Sequence, residues 1–108
     1  MGTIVNAFRG IHVCVPRNMT RAAGFYNTLL QADEPGLIIE RLNAYRLKEF
    51  LPDNIGDITT PLGVPEILEE GTDITIVSYA ACIDIAKSAI NKLKEMDISF
   101  RLADGNNC

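Results

Sequence analysis

His12 is the single histidine of the 108-residue chain. It stands two positions before Cys14 on a stretch of alternating character. Ile11, Val13 and Val15 interleave with His12 and Cys14, so a strand here puts the imidazole and the thiol on one face. The imidazole could act as base for a nucleophilic thiol at Cys14 or Cys82 if the fold brings them together. The alternatives are a strand histidine hydrogen-bonded to a neighbour and a cysteine that only packs. Glu66, Glu69 and Glu70 read as a solvated acidic face. Tyr45, Phe50 and Tyr79 line a ligand cleft or simply pack, whereas Phe25 and Tyr26 read as core. There is no Ser-His-Asp order, no phosphate-binding glycine loop and no basic aromatic stripe.

The elements that must position these groups follow from spacing. Gly10 to Leu30 reads as a buried strand, a break at Pro16 and an amphipathic helix. Asn18 caps the helix, and Met19, Ala22, Ala23, Tyr26, Leu29 and Leu30 make its apolar face. Residues 1–9 extend the first strand or cover an edge. Asp33-Glu34-Pro35-Gly36 is a turn. Residues 37–42 and 45–51 read as a half-buried hairpin joined by Asn43-Ala44. Residues 52–65 hold three prolines and form a long loop of the functional or mobile kind. Residues 66–70 make a short strand or a helical turn. A strand over 73–82 leads to a helix capped by Asp84, with Ile85, Ala86, Ala89, Ile90, Leu93 and Met96 inward. Ile98, Phe100 and Leu102 make a last strand, and 104–107 a turn.

Composition bounds the function. The length gives one domain with a modest core, which favours a homodimer. A net charge of −4 speaks against nucleic acid, which usually needs a basic face. No apolar run spans a bilayer, and the N-terminus lacks a secretory pattern. Cys14, Cys82 and Cys108 are odd in number and form no CxxC, against a disulfide framework or a structural zinc site. A reduced, cytoplasmic protein is expected.

The strand bearing His12-Val13, followed by a capped helix ending in Phe25-Tyr26-x-x-Leu29-Leu30, resembles the opening of the vicinal oxygen chelate superfamily. That superfamily includes glyoxalase I, bleomycin-resistance and fosfomycin-resistance proteins and extradiol dioxygenases. The second half restarts the pattern, HVCVPRNMTRAAGFYNTLL against TIVSYAACIDIAKSAINKL. The resemblance implies an α+β fold of βαβββ modules sharing one curved mixed sheet. The first module is 1–70, with its fourth strand at 66–70, and a partial second is 71–108. It also implies His12 and Glu69 (or Glu66) as ligands of a divalent metal, with Asp73 where the family often carries histidine. The set lacks at least one family ligand. The expected function is therefore to bind a small organic molecule in a cleft at His12, Cys14, Tyr45, Phe50 and Tyr79, with no cofactor. A metal-dependent lyase, isomerase or dioxygenase completed by a partner chain is the second reading. A ferredoxin-like interaction or regulatory module is the third.

Overall fold

The computed structural model describes residues 2–105. Its elements are α1 (Gly2–Ala7), β1 (His12–Cys14), α2 (Met19–Gln31), β2 (Gly36–Ile38), a 3-10 turn (Leu42–Arg46), β3 (Glu66–Glu69), β4 (Ile74–Ser78), α3 (Ala81–Lys94) and β5 (Phe100–Asp104). Two crossover units emerge. In the first, β1 and β2 pair in parallel through α2, with Val13 opposite Leu37. In the second, β4 and β5 pair in parallel through α3, and β3 adds antiparallel to β5, giving the order β3-β5-β4. Parallel neighbours need a long crossover, and each helix supplies one.

This arrangement corrects the expected architecture. The strands form a two-stranded and a three-stranded sheet rather than one shared curved sheet. The expected hairpin is absent over 39–51: the chain leaves the sheet after Ile39 N–H donates to the Cys14 carbonyl at 2.8 Å, and Asn43-Ala44 lies inside the 3-10 turn. Residues 2–7 are helical, not extended. The restart at 74 is real as a pattern, but what it repeats is a parallel β-α-β crossover. The strand at 66–69 is present. The expected turn at 104–107 lies partly outside the described residues, and Asp104 itself is the last residue of β5.

The main core belongs to the second unit. Ile83, Ile90, Phe100 and Leu102 are buried together, with Leu68, Ile76, Ala86, Leu93 and Ile98 against them. The α3 face is turned slightly from the expected one, because the helix starts earlier: Ile83 is inside while Ile85 and Met96 are exposed. Truncating Ile90 to Ala would cost about 2–5 kcal/mol, the usual range for a fully buried aliphatic. In the first unit Ala22, Gly24 and Phe25 are the buried residues of α2.

The long segment after β2 is held against α2. The Asn27 side-chain amide donates to the carbonyls of Ile55 (3.0 Å) and Ile58 (2.8 Å). Thr28 Oγ1 accepts the Thr60 N–H at 3.0 Å. Gly24 is required there, since a Cβ would lie 2.2 Å from Thr60 Oγ1. Gly71 is needed for a different close approach: a Cβ would lie 2.2 Å from the Phe100 carbonyl carbon. No helix among the described residues is long and apolar enough to cross a membrane.

Candidate functional site

The densest group of ionised side chains lies where the β1–α2 turn meets the ends of β3 and β5. Pro16 ends β1 and aims the turn across the second unit. Arg17 follows it, and Arg21 stands one helical turn into α2. Arg17 Nη1 donates to Glu66 Oε2 at 2.6 Å and to Asp104 Oδ2 at 2.8 Å. Arg21 Nη2 lies 3.1 Å from the same Glu66 oxygen, and its guanidinium sits over the Phe25 ring, 5.8 Å from the centroid. Asp104 is fully buried. Burial alone would lower the Arg17 pKa, but its hydrogen bonds to Glu66 and Asp104 outweigh that and hold it above the ordinary arginine value. The guanidinium is therefore a fixed cation.

Around it the α2 N-terminus is well capped. Asn18 Oδ1 accepts the Arg21 N–H at 2.9 Å, and Glu49 Oε2 accepts the Met19 N–H at 2.9 Å. Both oxygens meet N–H groups that no helical carbonyl can reach. A cleft of about 30 Å³ opens beside this cap, between Arg17, Met19, Glu40, Arg41 and Tyr45. That is room for about two ordered waters. A larger open hollow of about 480 Å³ lies between α2 and β2, walled by Tyr26, Leu29, Leu30 and Leu37.

The residues singled out from sequence do not converge. His12 Nε2 is 2.5 Å from Glu34 Oε2. Glu69 pairs with Lys94 instead. Among the described residues no group of three or more His, Cys, Asp or Glu could hold a metal ion. Cys14 is fully buried and is bonded rather than a free thiol, whereas Cys82 is free and exposed. Tyr45 lines the small cleft, Phe50 is wholly exposed, and Tyr79 is exposed beside the start of α3. Sequence reasoning passed over Arg17, Arg21 and Asp104. The period-2 row Phe100, Leu102, Asp104 was the available signal, because it continues a buried face into a carboxylate that then needs a cation.

With that geometry in view, the fold is that of a known class. A solved structure described as a split-gene transketolase, an inactive β4 tetramer, superposes with a TM-score of 0.75 at 22% identity, over 94% of this chain and 32% of that one. No protein-family model matches the chain. Among curated proteins it is 30% identical over 96 residues to the 2-oxoisovalerate dehydrogenase subunit beta of Bacillus subtilis. It is 33% identical over 97 residues to the mitochondrial counterpart of Dictyostelium discoideum. It is 27% identical over 96 residues to the pyruvate dehydrogenase E1 component subunit beta of Bacillus subtilis. These matches take in 88% of this chain but 29%, 26% and 29% of those proteins, so the chain spans less than a third of the relatives it matches.

These likenesses overturn the vicinal oxygen chelate assignment, and with it the glyoxalase and bleomycin-resistance readings of function. The physical reason is plain in the fold. A strand, a capped amphipathic helix and a restart are what any pair of parallel crossovers looks like locally. The Phe25-Tyr26-x-x-Leu29-Leu30 run does not even mark one buried face: Phe25 is buried, while Tyr26, expected in the core, and Leu30 are exposed.

Proposed function

We propose that this chain is a piece of a 2-oxoacid dehydrogenase β-type subunit, and that its part there is architectural. It joins two α/β crossover units and fixes their junction, with no reaction centre of its own. The observation that carries this reading is the run of β-subunit relatives, each matched across 88% of the chain. The relatives' names make each of them one subunit of an assembly, so the partners we propose are the rest of the subunit and a second, unlike chain.

The cofactor that this reading brings with it is thiamine diphosphate. The Arg17–Arg21 group and the cleft beside it do not fit it. A diphosphate needs open cations, free backbone N–H groups or a bound metal. Arg17 and Arg21 are engaged by carboxylates, the α2 cap is closed, and the adjoining cleft takes only about two waters. Cofactor binding and 2-oxoacid chemistry therefore fall to other parts of the assembled enzyme.

A segment exchange tests the reading. The chain replaces the matched 96-residue segment of the Bacillus subtilis 2-oxoisovalerate dehydrogenase β subunit, co-produced with its partner. The expected result is an assembled dehydrogenase that still oxidises branched 2-oxoacids. A hybrid subunit that melts cooperatively yet never assembles would overturn it.

A further inference from the structure

Antiparallel pairing sets Glu66 of β3 directly opposite Asp104 of β5. Like charges at opposed strand positions repel. Asp104 is fully buried, so the pair needs a cation close by. Two cations of the second unit are engaged elsewhere: Lys94 pairs with Glu69 and Arg101 with Glu70. Arg17 and Arg21, both from the first unit, meet the pair instead. Arg41, from the connecting segment, reaches the same junction, 3.2 Å from Asp84 on α3 and 3.4 Å from the Arg17 carbonyl. Among the described residues no helix or strand of one unit packs broadly on one of the other.

We infer that Glu66, Asp104 and Arg17 form an electrostatic clasp between the two units, in which a repelling carboxylate pair built into the second sheet is neutralised by docking of the first. Arg17 is thus a positioning residue. Docking and the integrity of the β3–β5 end are one event, because undocking leaves a buried carboxylate beside a second carboxylate without their cation. This goes beyond the β-subunit reading and does not depend on it. Small polar interfaces between units permit relative motion by default, and the clasp converts that freedom into one preferred angle.

The test uses the 108-residue chain and two readouts, thermal unfolding and the radius of gyration in solution by X-ray scattering. Arg17→Ala lowers the melting midpoint, by on the order of 10 °C for a broken buried pair in a domain of this size, and expands the radius. Arg17→Ala combined with Glu66→Gln and Asp104→Asn removes the repulsion as well as the clasp. Its midpoint returns toward wild type while its radius stays expanded. A merely structural arginine would not split the two readouts in this way. The triple variant decides the matter even where Arg17→Ala does not fold: a wild-type radius, or a midpoint that stays depressed, overturns the clasp.

Discussion

Glu40 accepts hydrogen bonds from two phenols, Tyr45 Oη at 2.7 Å and Tyr26 Oη at 2.9 Å. The bond from Tyr45, then that from Tyr26, holds the carboxyl below the ordinary value of 4.5. The same bonds raise both phenols above 10.0, the Glu40 hydrogen bond being the largest cause in each. A lowered carboxyl stabilises the fold above its unfolded pKa, and that contribution is lost as pH falls through the folded value. A raised phenol stabilises below its unfolded pKa and loses this as pH rises through the folded one. The trio is therefore intact between about pH 4.5 and 10.0 and ties the chain after β2 to α2 in that window. In carbon-detected titrations Tyr45→Phe should move the Glu40 midpoint upward, further than Tyr26→Phe does. A midpoint that stays put in both variants would remove the trio from the account. Tyr45 was legible from sequence as a residue worth watching, but its partner was not, because nothing local links positions 26, 40 and 45.

At the scale of elements, α3 begins in an unexpected way. Asp84 looked like its cap, yet the helix starts at Ala81 and Asp84 sits in the first turn, where a carboxylate suits the helix dipole. The residue before the helix, Ala80, has φ 49° and ψ −125° and offers no side-chain cap. That region suits glycine, and a Cβ there stores about 1–3 kcal/mol of strain. Ala80→Gly should relieve it. After the entropy cost of glycine, about 0.5–1 kcal/mol, a net gain of about 1 kcal/mol remains, or several degrees in Tm. Calorimetry checks this, and an unchanged or lower Tm refutes the strain. Helix α2 and its Asn18 cap were readable because caps and periodicity are local. Residues 66–70 leave strand and helical turn open, and only the family resemblance leans to the strand that β3 turns out to be. The hairpin expected over 37–51 was not readable, since alternation makes a strand only where a neighbour accepts its rungs. After Ile39 the chain runs out of β1 to pair with.

At the scale of the molecule, the two units differ in what holds them. The second has a contiguous apolar core beneath α3. The first has two strands of three residues each, a sheet size that is marginal by itself, and it relies on the Asn27 and Thr28 latches and the Arg17 clasp. The radius of gyration, 15.3 Å over Cα atoms, exceeds the roughly 13 Å of a compact chain of this length, as two loosely joined units require. Which strands pair with which is a long-range fact, and that is why a strand–helix motif could point to the wrong superfamily while α2, α3 and the strands that flank them were placed. The same inequality predicts the order of opening. Amides of Ile83, Ile90 and Leu102 should exchange slowest, in one cooperative class, while those of β1, α2 and β2 exchange earlier through a lower-energy opening. Native-state hydrogen exchange resolves the two classes. Arg17→Ala should speed exchange in β1, α2 and β2 more than in the core class, since the core beneath α3 does not need the clasp to stay closed. Equal acceleration everywhere would mean that the two units open as one.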